Sequence, residues 1–578
     1  MNSTLTSKMT VQDALVDNGL LGKGTRSLLM AVAITYAISW INWFFTSWQS
    51  SRAVAAAKRA GPGQLKRPPT LPSAVPVVGH IFQFLLGGHA FMSRAAKHYG
   101  LGVPVRINLA TFPSYIVSGR DCVAAFLKDQ GRQLSRIPRG LNYMEHAFGC
   151  PHEFVHQFKP RDDVDIEHQM HTALQTMLAG NGLEVLAGRY QTEVAHAALS
   201  TSLMGKEHEW TELPDLCSFV EDHVLEAATR ALYGPHLVAL NPTLARDFWT
   251  FNRRVKSMFM GVPKWLNPSA VRARDKMTDN VKRWQLYAAE HCNIDEIPDD
   301  VEWEPFYGSR YTRVRQKLLT KRDIMNESAR AAENLAFIWA TNANSVPSAI
   351  WFLLETLHDP SLEKQVRARL QAARTESTDE NPLNFDVNKL TSDSLLQSMF
   401  AEILRLRVAA LVVRQPTDAK GFSLPGGWHI KPKETLSMST RTELMDPGVW
   451  NAGDAANPHP LDSFWAERFL VYPDDPRSGP LREPKRRFGA ATNSEPYFSL
   501  DGCTWSWVPF GGGRQLCPGR HFAKCEILLT SAIFLSAFEI ELLTDKLPGP
   551  DEGVYGFGTM PPNGKVPCRI RRRKIVSV

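Results

Sequence analysis

One cysteine in this chain is placed for metal chemistry. Cys517 closes the run Phe510-Gly511-Gly512-Gly513-Arg514-Gln515-Leu516-Cys517-Pro518-Gly519. Pro518 is a good first helical residue, so the spacing predicts a glycine-rich turn that delivers the cysteine to a helix N-terminus. The positive end of the helix dipole favours the thiolate there. Gly511, Gly512, Gly513 and Gly519 allow backbone to approach a flat cofactor and to aim N–H groups at the sulfur. Hydrogen bonds of that kind tune the potential of a ligated metal. Outside such a pattern, a cysteine before a helix is usually a small buried hydrophobe.

A second constellation is ionic. In Glu402-Ile403-Leu404-Arg405 the two charges stand three apart and share one face of a helix. That helix is predicted from Ser392 to Ala409, with Leu395, Leu396, Met399, Phe400, Ile403 and Leu404 as its apolar stripe and Ser392 as N-cap. On spacing alone the pair reads as a solvated bridge worth little. Phe464-Trp465-Ala466-Glu467-Arg468-Phe469 adds a further cation, and Pro68 to Gly79 is rich in proline.

Together and in this order, the four runs resemble the cytochrome P450 family. Phe510 lies seven before the cysteine, Gly513 four before and Gly519 two after, as in its ligand loop. Glu402 to Arg405 matches its Glu-x-x-Arg helix. Phe464 to Phe469 is similar to its Pro-Glu-Arg-Phe segment, with Ala466 where proline is usual. Pro68 to Gly79 resembles its hinge. The resemblance covers the chain from the N-terminal apolar segment to the C-terminus. It implies a mainly α fold with a minor β portion, haem b as cofactor and Cys517 as the iron's ligand. Phe510, Gly513 and Gly519 would shape the cofactor loop, and Glu402, Arg405 and Arg468 would form a structural cluster that holds it.

The chain departs from the family's usual pattern on the long helix predicted from Glu327 to His358. Family members commonly place an acid and then a threonine over the iron; the corresponding residues here are Ala343 and Asn344. An amide can hydrogen-bond a water or bound oxygen but donates no titratable proton at neutral pH. Ser345 or Thr341 could supply a hydroxyl. Pro347 has no N–H for the carbonyl of Ala343, so the helix should bend there and free that carbonyl. Phe337 to Pro347, followed by Trp351, resembles the branch that holds cholesterol and oxysterol 7α-hydroxylases, sterol 12α-hydroxylase and prostacyclin synthase. Because that branch includes hydroxylases and an isomerase, the altered pair leaves both chemistries open.

The basic residue usual two before the ligand is here Gln515, with Arg514 adjacent, and no Trp-x-x-x-Arg occurs where the family places another propionate partner. Propionate binding must then use other groups, and Arg414 is a candidate. Arg514, Arg520, His521 and Lys524 make the cysteine side basic, which suits electrostatic steering of an acidic reductase.

The elements that must carry these residues follow from pattern. The chain has 578 residues, 43% hydrophobic and 22% charged, with a net charge of +7. That suits a globular body with a large core and does not indicate nucleic acid. Eight cysteines in so long a chain, without Cys-x-x-Cys spacing, do not read as a disulfide framework. Residues 1–26 form a short N-terminal segment. Residues 27–48 are free of charge and long enough for a single transmembrane anchor ending in aromatics. Ala53-Val54-Ala55 resembles a signal cleavage site, but Arg52 interrupts the apolar run before it. Bases at Arg52, Lys58, Arg59, Lys66 and Arg67 outnumber those before the span, which predicts a body on the cytosolic side; the expected membrane is the endoplasmic reticulum. The Asn2-Ser3-Thr4 sequon would face the other side. Residues 49–80 read as a basic, proline-rich linker and 81–578 as the catalytic domain. Aromatics and bases from Phe248 to Trp265 suit either core packing or a bilayer contact.

The expected function is oxidation of a lipophilic small molecule, such as a sterol, terpenoid or polyketide. The reaction would use molecular oxygen and electrons from NADPH-cytochrome P450 reductase. Asn344 and Ser345, beside Ala343, would order water on the distal side. The rival readings are a haem-thiolate isomerase or dehydratase, and a non-catalytic haem-binding membrane protein.

Overall fold

A computed structural model describes residues 11–61, 63–109, 112–129, 133–155, 166–178, 180–201, 209–320, 325–378, 381, 383–483 and 495–574. The Asn2-Ser3-Thr4 sequon lies outside the described residues. The fold is mainly helical, with a six-stranded sheet and smaller β pieces.

The N-terminal helix spans Val11–Arg59, and Ser27–Arg59 is long and apolar enough to cross a membrane. Its large apolar side chains from Leu28 to Trp48 are exposed. The helix does not stop at Trp48, since the alanines from Ala53 to Ala57 continue it without a breaker. At about 1.5 Å per residue, the 33-residue segment Ser27–Arg59 extends roughly 50 Å, beyond a hydrocarbon layer of about 30 Å. Its later part rests on the body. Asn42 Nδ2 donates to the Ser73 carbonyl at 2.7 Å, the Ser73 N–H donates to Thr46 Oγ1 at 3.1 Å, and the Ser50 and Tyr99 hydroxyls meet.

The proline-rich stretch is not a free spacer. Prolines hold it extended, and it lies along the strand Val105–Leu109, with Arg106 N–H on the Pro69 carbonyl and Leu71 N–H on the Arg106 carbonyl, both at 2.8 Å. Gly79 has φ +64°, and a Cβ there would strike the Asn108 carbonyl. In the main sheet Val105–Leu109 pairs with Phe112–Ile116, then Thr435–Ser439, Val408–Pro416 and Phe557–Thr559. This sheet delivers Arg414 and Thr559 to the neighbourhood of the site.

The helical core is built around two consecutive helices, Glu327–Asn342 and Ser345–His358. The predicted bend is a full break, and it falls at Ala343 and Asn344, one turn before Pro347. Packed against the second of these are Leu216–Tyr233, Ser394–Arg407 and the C-terminal helix Arg520–Ala537. The helix that carries Glu402 starts later than its pattern suggested, because Asp393 rather than Ser392 caps it, accepting the Leu396 N–H at 2.9 Å. The polar connection before it contains its own short helix, Val387–Ser392, capped by Asp386. The C-terminal helix starts at Arg520 rather than Pro518, which lies in the turn after the cysteine. The aromatic segment from Phe248 divides cleanly. Phe248, Trp249, Phe251, Met258 and Phe259 are core, while Trp265 is 78% exposed beside the exposed Leu266.

Candidate haem-thiolate site

The cysteine loop is closed on itself and on the body. The Cys517 N–H donates to the Phe510 carbonyl at 3.1 Å, and the Gly511 N–H donates to the Val508 carbonyl at 3.0 Å. Gly513 has φ +65°, and a Cβ there would collide with the Leu127 carbonyl of the helix Arg120–Lys128. Only glycine permits that approach. Burial pushes the Cys517 thiol up, whereas the Gly519 N–H, the charges of Arg520 and Arg136, and the Arg520 N–H act the other way. The sulfur therefore sits in a partly desolvated spot with two backbone donors and two guanidinium charges directed at its anionic form. That donor set fits a metal thiolate.

The surroundings also fit the anionic edge of a haem. Arg414 is 3% exposed; its Nη1 donates to the Phe126 and Leu127 carbonyls at 2.5 and 3.3 Å. Its Nε is buried without a partner among the described residues. Burial lowers this guanidinium to about 10; Asp129 raises it, and Arg136 and Arg514 lower it further. Three guanidinium groups near one carboxylate, with one donor unfilled, suit two propionates. Arg514 and Arg136 are exposed, so of the three Arg414 is the buried anchor. Arg136 was not evident from sequence, because only the fold brings residues 136, 414 and 514 together.

Glu402, Arg405 and Arg468 are each 0% exposed. Arg405 Nε and Nη2 bind both Glu402 oxygens at 2.7 and 2.9 Å, and Arg468 Nε binds Glu402 Oε1 at 2.9 Å. The remaining arginine donors reach backbone carbonyls of Leu444, Leu461, Pro460 and Asn451. A two-to-one cluster in the core is tolerable only because nearly every donor is filled this way. It ties the Glu402 helix to residues 451–468, while the Trp507 indole, leading into the cysteine loop, donates to the Ala401 carbonyl at 3.3 Å.

On the other side lies the helix break. Asn344 Oδ1 accepts the Thr559 N–H at 2.9 Å, and a Cβ on Gly558 would strike that same oxygen. The amide nitrogen of Asn344 has no protein acceptor among the described residues. Ser348 Oγ donates to the Asn344 carbonyl at 2.8 Å. Ser345 faces elsewhere: it is 4% exposed, donates to the Thr341 carbonyl at 2.7 Å and meets the Glu526 carboxyl. The two distal candidates therefore do not converge. The Thr341 hydroxyl is used within its own helix, on the Phe337 and Ile338 carbonyls. Ala343 is buried and offers only its carbonyl, to which Pro347 brings no N–H. Glu526 went unnoticed in the sequence, although an acid inside so apolar a helix was a visible signal.

A family model described as Cytochrome P450 matches residues 312–568. The chain is 56% identical over 556 residues to the cytochrome P450 monooxygenase efuG of Hormonema carpetanum, covering 96% of this chain and 97% of that protein. The chain belongs to the cytochrome P450 family. This P450 is 30% identical over 533 residues to the monooxygenase calL of Penicillium decumbens, covering 88% and 93% of the two chains. Its similarity to the cholesterol 7-alpha-monooxygenase of Cricetulus griseus, 27% over 339 residues, covers 57% of this chain and 59% of that protein. The resemblance of the chain to the branch that holds the cholesterol 7α-hydroxylases is thus borne out. This P450 is a haem-thiolate monooxygenase, and its cofactor is haem b.

Proposed function

We propose that this P450 oxidises a polycyclic, sterol-like lipophile, of sterol, terpenoid or polyketide origin, with molecular oxygen. Its electrons would come from NADPH-cytochrome P450 reductase, with the enzyme anchored in the endoplasmic reticulum membrane and its body in the cytosol. The carrying observation is Cys517 in its glycine-shaped loop, faced by backbone N–H groups. The names of two relatives, a cholesterol 7-alpha-monooxygenase and a 5-beta-cholestane-3-alpha,7-alpha-diol 12-alpha-hydroxylase, support the substrate class. The exposed apolar side chains from Leu28 to Trp48 support the membrane setting, which concentrates lipophiles.

Bound through Cys517, haem supplies the oxygen-activating chemistry, because thiolate donation favours O–O cleavage. The chain supplies position and protons. Arg414, with Arg136 and Arg514, holds the propionates. Asn344, fixed by Thr559, keeps one amide N–H pair available at the helix break to donate to an oxygen. Arg514 and Arg520 give the proximal side a positive field for an acidic electron donor, whereas burial and the charges of Arg520 and Lys524 hold the His521 imidazole below its usual value, so it adds little. Lys524 contributes less, because it is drawn inward to Gln397 Oε1 at 2.8 Å, and burial lowers it to about 8.

Microsomes that contain the chain, together with metabolite comparison of cells with and without it, test this reading. Turnover should need both NADPH and oxygen and should consume a polycyclic lipophile. Turnover of a peroxide without either would favour the isomerase, and no turnover of any lipophile would leave a haem-binding protein.

A further inference from the structure

The N-terminal helix Val11–Arg59 carries a polar stripe that a plain membrane tether does not need. Asn42, Thr46 and Ser50 stand four apart and so share one face, which Ala53 and Ala57 continue. The other faces carry Trp40, Trp43, Phe44, Phe45 and Trp48, all exposed. Small side chains on such a stripe let another backbone come close, and their polar groups can bond to it. An asparagine amide in an apolar span is costly unless it finds a partner.

That partner is the proline-rich segment, which runs back along the helix. Asn42 reaches the Ser73 carbonyl, and the Ser73 N–H reaches Thr46. Further along, the Ser50 hydroxyl meets the Tyr99 hydroxyl, which donates to the Thr70 carbonyl at 3.0 Å. The spacing suits two antiparallel segments. Three extended steps from Thr70 to Ser73 cover roughly 10 Å, and four to eight helical steps from Ser50 to Thr46 and Asn42 cover about 6–12 Å. Ser50 and Ser73 are 3% and 6% exposed. Thr35, earlier in the same helix, gives the contrast: it is exposed and spends its hydroxyl on the Ala31 carbonyl. The far edge of the segment is fixed to the body. Lys66 exchanges backbone hydrogen bonds with Gly427 and His429, both at 2.8 Å, and Arg67 pairs with Glu434 at 2.8 Å.

We infer that Asn42, Thr46 and Ser50 form a docking seam that makes the anchor a rigid mount, fixing the height and tilt of the catalytic body on the bilayer. The inference rests on the membrane reading of Ser27–Arg59. Body, proline-rich segment and helix are joined in series by hydrogen bonds, so a tilt of the helix is passed to the body. Ser73 is held opposite Asn42, within the aromatic belt from Trp40 to Trp48, so the exposed Val75 and Val77 are carried to the headgroup level.

Distances between paired spin labels on the haem-loaded full chain, in phosphatidylcholine nanodiscs, test this. The labels go on Ile34→Cys in the helix and Leu101→Cys in the body, both exposed positions, with Cys292→Ser removing a part-exposed native thiol. The helix from Ile34 to Ser50 is about 24 Å long, so the pair falls in measurable range. With the seam intact the distribution should be single and narrow. Asn42→Leu with Thr46→Val keeps side-chain size and removes the bonds to Ser73. It should broaden the distribution roughly twofold or more, as a linker released from its contacts would. A broad distribution with the seam intact overturns the rigid mount. A distribution that stays narrow in the double variant shows that packing alone holds the helix, and overturns the seam. Should that variant not load haem, Tyr99→Phe, which cuts the link from Ser50 to Thr70, must broaden the distribution instead, and a narrow one overturns the proposal. Failure of the membrane reading would show separately, as unlabelled chain that does not float with phosphatidylcholine vesicles, whatever the width of the distribution.

Discussion

Asn344 is tied to Thr559, 215 residues away in sequence, by a 2.9 Å hydrogen bond from the strand's N–H to the side-chain carbonyl. The bond fixes the amide at the break between the two central helices. It also accounts for Gly558, where any larger residue would strike the same oxygen. Asn344 thus braces the strand while its nitrogen remains available.

Replacing Asn344 with Ala separates these roles from haem binding. The Thr559 N–H loses its partner, which costs about 1–3 kcal/mol for a buried group. Haem content and the ligand spectrum should persist, whereas oxygen consumption should uncouple from product. The ratio of hydrogen peroxide to product measures this, and an unchanged ratio would make the asparagine a brace alone.

Glu402→Ala should act on folding. It leaves Arg405 and Arg468 buried with no anion, a loss of about 3–5 kcal/mol. The yield of folded, haem-loaded protein should fall sharply, read as haem-to-protein ratio after purification. Wild-type yield from this variant would show that the cluster does not hold the loop.

Arg414→Met keeps much of the packing on Phe126 but removes the donors. Loss of charged hydrogen bonds worth about 1.5–3 kcal/mol should accelerate haem release roughly tenfold or more. Transfer of haem to an apoglobin trap follows the rate. The apoprotein itself should not be destabilised by loss of charge, since the guanidinium is held below its usual value by burial.

The fully buried Glu526 sets a pH dependence of stability. Its carboxyl rises from 4.5 to about 8 on folding, so between those values the folded state binds more protons than the unfolded one. Its contribution is therefore complete below 4.5 and is lost as pH climbs through about 8. Denaturation midpoints of the wild type should decline across that window relative to Glu526→Gln, which has no such proton. Parallel profiles would place an ion or rearrangement beside the carboxyl.

Much of the site was legible because its signals are local. The glycines before Cys517 mark a close backbone approach that recurs in the fold at Gly513 and Leu127. Pro347 foretold the break, since the missing N–H acts one turn back. What stayed hidden depends on partners remote in sequence. Spacing put Glu402 and Arg405 on one face but could not say that the face is buried, which Arg468 and several loop carbonyls decide. Likewise, periodicity could not tell that Phe248 to Phe259 face the core while Trp265 does not. The helix Val11–Arg59 outruns its apolar stretch because Ala-rich sequence continues a helix whether or not lipid surrounds it.

The most direct test of the account is the carbon-monoxide difference spectrum of the reduced protein and of Cys517→Ala. The wild type should give the red-shifted band of a thiolate-ligated haem, and the variant should lose it. A wild type without that band, or a variant that keeps it, would contradict ligation by Cys517.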